Sequence, residues 1–105
     1  MMSDWDVIIQ EAERVAGDLR RLAVDLAEAE KVGDYFIGHG YDEEQLKRYL
    51  DLLATNPPVR SRRSQGHYRN LRDIWQRWRT SLQGVDKARA WGWGVRLAKV
   101  EKAGR

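Results

Sequence analysis

Apolar residues early in the chain fall at Trp5, Ile8, Ala12, Val15, Leu19, Leu22 and Leu26, in alternating steps of three and four. That spacing is the seam of an amphipathic helix. Ile9, Ala16, Ala23 and Ala27 widen the seam, and Glu11, Arg14, Asp18, Arg21, Asp25 and Glu28 occupy the other face. Ser3 with Asp6 resembles a capping box, and Gly33 is a stop signal, so the pattern predicts one long helix over 3–32. Such a helix would span roughly 45 Å. Its seam is then either packed by the other helices or shared with a second molecule.

Residues 33–41 carry three glycines among aromatic residues and are expected to form a connector. Asp42 with Gln45 repeats the capping signature. A second helix follows to about Ala54, with Leu46, Tyr49, Leu50 and Leu53 on one face. Asn56-Pro57-Pro58 ends it, because proline cannot continue a helix. A basic linker over 59–63 leads to a third helix from Ser64 to about Leu82, with Tyr68, Leu71, Ile74, Trp75, Trp78 and Leu82 apolar. Asp86 opens a fourth helix to about Lys102. There Ala90, Trp93, Leu97 and Val100 are read as the core face, with Trp91, Val95 and Ala98 beside it. Gly92 and Gly94 each cost about 1 kcal/mol of helix propensity relative to alanine, so a local break is expected there. No run alternates as a strand does. The fold class is all-α: a single domain over 1–105, a compact bundle of about four helices with a long N-terminal helix.

Charge divides the chain in two. Residues 1–53 hold 13 acidic and 6 basic side chains, and residues 54–105 hold 3 acidic and 13 basic. Four of the five tryptophans also lie in the basic half. This asymmetry points to a polyanion, or another acidic surface, as partner of the second half. Ten of its 13 cations are arginine, whose guanidinium fork matches phosphate oxygens and stacks on bases. On the third helix Arg62 and Arg63 lead into Arg69, Arg72, Gln76 and Arg79. On the fourth, Arg89, Gly92, Arg96 and Lys99 recur in steps of three, four and three. Two cationic stripes of this kind suit a phosphate chain, and Trp91 or Trp93 is placed to stack on bases. Neutralising five or six phosphates of a single strand gives a log–log salt slope of about −4.

Other chemistry finds little footing. The chain has no cysteine, which removes disulfides, a thiol nucleophile and the common structural zinc sites. Neither His39 nor His67 has a second ligand at helical spacing, and the acidic clusters lack calcium-loop spacing. Ser61, Ser64 and Ser81 sit in no nucleophile-elbow motif. Gly38-His39-Gly40 lacks the lysine of a phosphate-binding loop, so no cofactor is expected. His67 among arginines, with Tyr68 or Asp73 as second group, is the one arrangement a small ribonuclease would use. No apolar run reaches a membrane span, and the first ten residues carry Asp4 and Asp6 but no Lys or Arg. A cytoplasmic protein without a membrane partner is expected.

Two stretches carry a family resemblance. Glu44-Gln45-Leu46-Lys47-Arg48-Tyr49-Leu50-Asp51-Leu52-Leu53 resembles a helix of the small helical subunit of type III CRISPR effector complexes, the Csm-type small subunit. Lys87-Ala88-Arg89-Ala90-Trp91-Gly92-Trp93-Gly94-Val95-Arg96 is similar to that family's lysine-alanine-aromatic-small-glycine-arginine segment. The resemblance implies a non-catalytic subunit that stacks along an RNA-guided antiviral ribonucleoprotein and touches the backbones of guide and target RNA. It implies RNA contacts at Lys47, Arg48 and Arg96, and a first helix that meets neighbouring subunits. The expected function is therefore nucleic-acid binding, through RNA backbone, by Arg62, Arg63, Arg69, Arg72, Arg79, Arg89, Arg96, Lys99, Lys47 and Arg48. The alternative is an antitoxin-like or inhibitor-like helical module that grips an acidic protein.

Overall fold

Five helices, rather than about four, make up the fold in a computed structural model that describes residues 4–56 and 62–103, with backbone only at 62–65. They are α1 (Asp4–Arg21), α2 (Leu26–Gly38), α3 (Glu43–Thr55), α4 (Arg62–Arg77) and α5 (Gly84–Ala103). There is no strand among the described residues. No described helix is long and apolar enough to cross a membrane. Ser3, Pro57 and Pro58 and the linker through Ser61 lie outside the described residues.

The expected long helix is cut in two between Arg21 and Leu26. Val24 N–H bonds back to the Leu19 carbonyl and Ala23 N–H to that of Arg20, both at 3.1 Å. Together they form a Schellman stop with Ala23 in the left-handed region at φ 50°. Its hydrophobic clasp is Val24 against Leu19, both buried. Asp25 then caps α2, accepting from Ala27 N at 2.9 Å and Glu28 N at 3.2 Å. Alanine is strained at this backbone angle where glycine is not. Ala23→Gly is therefore expected to raise the unfolding free energy by about 0.5–1 kcal/mol, read as a higher urea midpoint. A lower midpoint would contradict the strained-stop account.

Gly33 does not end a helix. It lies inside α2, which runs on to Gly38 and absorbs most of the expected connector. A second Schellman stop closes it, with Gly40 at φ 67°, Tyr41 N–H bonded to the Phe36 carbonyl at 2.9 Å, and the Phe36 and Tyr41 rings edge-on at 5.6 Å. Asp42 caps α3 as its spacing predicts, accepting from Gln45 N at 3.1 Å. The helix expected third, from Ser64 to about Leu82, is α4; it starts earlier, at Arg62, and stops sooner, at Arg77, and 78–83 is not helical.

The last helix is continuous through both glycines. Contacts step forward together along α1 and α5, from Trp5–Arg89 through Val15–Gly94 to Arg20–Glu101, so these helices lie parallel. Gly94 is what lets them close. A Cβ there would sit 2.7 Å from Val15 Cγ1 and 2.9 Å from the Ala12 carbonyl oxygen. α5 also packs on α2, with Trp91 in the notch at Gly33 and Lys99 at Glu30. The buried face of α5 is Ala88, Ala90, Trp91, Gly94, Val95 and Ala98. This corrects the expected core face: Ala90 is buried, but Trp93 is exposed and Val100 more so.

The core centres on an aromatic cluster. Trp75 touches Phe36 and Trp91 edge-on, each at 5.1 Å between centroids, and Trp78 at 5.5 Å. The buried indole of Trp91 donates to the Ala29 carbonyl at 2.8 Å, and that of Trp78 to Glu11 Oε2 at 2.9 Å. No buried side-chain polar atom among the described residues lacks a partner.

Candidate nucleic-acid interface

Part of the charge asymmetry is consumed inside the molecule. Lys87, from the basic half, lies 4.6 Å over the Trp75 ring and donates to Glu43 at 2.7 and 3.1 Å. Lys99 pairs with Glu30 at 2.5 Å, and Arg20 from the acidic half pairs with Glu101. These contacts tie α5 to α3, α2 and α1. Lys99 holds the Glu30 carboxyl below the usual range, by hydrogen bond first and charge second. Both side chains face solvent, where such pairs contribute little to stability.

The two expected cationic stripes lie on different parts of the fold. α4 packs chiefly on α3, whereas α5 packs on α1 and α2. On α4, Arg69 is exposed and Arg72 is half-buried beside the Asp73 carboxylate at 3.5 Å. Arg79 follows the end of the helix, so it leaves the stripe that helical spacing drew. The side chains of Arg62 and Arg63 lie outside the described residues. Lys47 and Arg48 are exposed on α3. Arg48 lines a shallow depression with Tyr35, Gln45 and Tyr49, but Asp42 and Glu44 share it.

On α5 the stripe is intact. Arg89, Gly92, Arg96 and Lys99 are all exposed along one face. Arg89 pairs with Asp86 at 3.3 Å, and its guanidinium lies 5.9 Å from the Trp5 ring. Arg96 lies 5.2 Å over the ring of Trp93. Arg89, Gly92, Trp93 and Arg96 line one shallow depression. Trp5, expected in the seam, is 53% exposed, and Trp93, expected both on the core face and as a candidate to stack on bases, is 40% exposed. Trp91, the other base-stacking candidate, has no exposed surface and belongs to the core. The signal that separates them is the ring of small residues around Trp91: Ala88, Gly94 and Ala98 mark the packed face.

Two of the residues a ribonuclease would use make contacts within the fold. His67 Nδ1 accepts the Asp25 backbone N–H at 3.2 Å. Tyr68 is buried among core residues, and burial followed by the Glu28 charge pushes its phenol up. Among the described residues no three His, Asp or Glu side chains converge as a metal site would need. Comparison of the chain with protein-family models, curated proteins and solved structures gives no match.

Proposed function

We propose that this protein is a non-catalytic, nucleic-acid-binding assembly subunit whose α5 ridge grips an RNA backbone. The observation that carries the reading is the unbroken exposed line Arg89, Gly92, Arg96 and Lys99 on one rigid helix. Guanidinium groups held this way take phosphates in sequence, and the open Gly92 admits the chain close to the helix. The ion pairs to Asp86 and Glu30 are solvent-exposed, so a phosphate competes with them at little cost. The resemblance of 44–53 and 87–96 to the type III small subunit supports placing it in a cytoplasmic RNA-guided antiviral complex, with guide or target RNA as partner. Exposed Trp5 and Ile9 on α1 favour a neighbouring protein subunit on that side.

Arg89→Ala combined with Arg96→Ala is expected to weaken binding to poly-U and to flatten the log–log salt slope by about 1.4, at about 0.7 per phosphate lost. Arg69→Ala with Arg77→Ala, on α4, is expected to do less. Unchanged poly-U binding by the α5 variant would refute the reading. Tight, salt-sensitive binding to an acidic protein, with none to RNA, would favour the interaction-module alternative.

A further inference from the structure

Phosphate contact alone needs only cations, and the α5 ridge has more than that. An indole sits in the middle of its charged line. Trp93 is 40% exposed although the core, two residues back along the helix, buries Trp91 completely. Beside Trp93 the chain carries no side chain at all: a Cβ built on Gly92 meets nothing within 4 Å. Arg89 and Arg96 flank this opening, and the four residues share one depression. Along the edge where α1 meets α5, Trp5, Arg89, Trp93 and Arg96 alternate indole with guanidinium, at 5.9 Å between the first two and 5.2 Å between the last two.

A flat aromatic face between cations, with open space beside it, has the chemistry of a nucleobase seat. Bases stack on indole and guanidinium planes alike, and the phosphates on either side of a stacked base meet the flanking arginines. A duplex hides its base faces within its own stack, whereas a single strand presents them. We propose that Trp93, with Arg96 across its ring and Gly92 opening the approach, is a base-stacking platform that makes the protein prefer single-stranded RNA to duplex RNA. This rests on the nucleic-acid reading above and adds to it the form of the ligand.

The test compares a short oligo-U RNA with an RNA duplex of equal length, by anisotropy, for the whole chain and three variants. Trp93→Leu is expected to lower oligo-U affinity by about 5- to 150-fold, the range for loss of one base–aromatic stack. Duplex affinity and the salt slope are expected to stay near the parent values. Trp93→Phe retains a ring and should recover most of the oligo-U binding. Gly92→Leu fills the open approach and should also weaken oligo-U, while its thermal midpoint stays at or above the parent's. Equal losses on both RNAs, no loss on either, or Phe no better than Leu would overturn the platform while leaving backbone binding in place. A parent protein that binds neither RNA overturns the nucleic-acid reading itself, and the platform with it.

Discussion

Trp91→Ala is expected to lower the unfolding free energy by about 3–5 kcal/mol, the range for removing a buried large aromatic side chain. A domain of this size has roughly 5–15 kcal/mol in total, so the variant would sit near the edge of folding. Three losses combine in this one change. The indole has no exposed surface, so its whole apolar area returns to water or leaves a cavity. Its edge contacts with Trp75 and its tilted contact with Trp78 disappear. Its N–H no longer donates to Ala29, which matters less because that carbonyl belongs to a helix. Trp91→Phe keeps a ring and is expected to recover a large part of the loss. Urea unfolding gives the measure, with Trp93→Ala as the reference. A Trp91→Ala midpoint no lower than that of Trp93→Ala would contradict the placement of the two indoles.

The second large effect concerns two glycines that the sequence presents as equals. Gly94→Val is expected to destabilise by about 1–3 kcal/mol or more, because the added atoms meet both Val15 and the Ala12 carbonyl oxygen. The side chain of Val15 can turn, but the carbonyl is backbone and holds its place. Gly94→Ala is expected to destabilise as well, although alanine is the better helix former. At Gly92 the same change to alanine meets open space and is expected to stabilise by about 0.5–1 kcal/mol. Opposite signs for one substitution, two residues apart in one helix, are the readout. Equal signs would mean that α1 and α5 do not approach as closely as Gly94 allows.

These positions also show what a sequence can reveal here. The stop after α2 uses glycine at position 40, which the sequence offers only as one of three glycines in an expected connector, whereas the stop after α1 uses alanine at 23. Alanine favours helix more than any other residue, so periodicity ran straight through the break. What enforces that stop is Leu19 against Val24, and the pattern gives no hint of it because buried Val24 falls outside the seam. The cap at Asp42 was legible because the side chain acts on a backbone amide three residues on, a purely local bond.

The last helix was misread for a different reason. α5 is packed by α1 on one side and α2 on another, so its apolar residues spread around much of the helix and define no single stripe. Weight given to large residues then drew the core through Trp93 and Val100, while the close-packed face is built from alanine, glycine and Trp91. The charged line Arg89, Gly92, Arg96 and Lys99 survived this error, because its spacing depends only on the helix continuing. The α4 line did not survive whole, because that helix ends at Arg77. Pairings such as Lys87 with Glu43 join segments far apart in the chain and leave no trace in local spacing.

The parallel contact between α1 and α5 shapes how this molecule can come into being. α1 buries its stripe chiefly against the helix made latest among those described. Contacts between distant segments require a long loop to close before they reward the chain, which slows folding relative to a bundle of neighbouring hairpins. Ile8, Val15 and Leu19 therefore reach their full burial only once α5 has packed against α1. Collapse of the α1 stripe is thus tied to α5, the helix whose outer face carries the arginines.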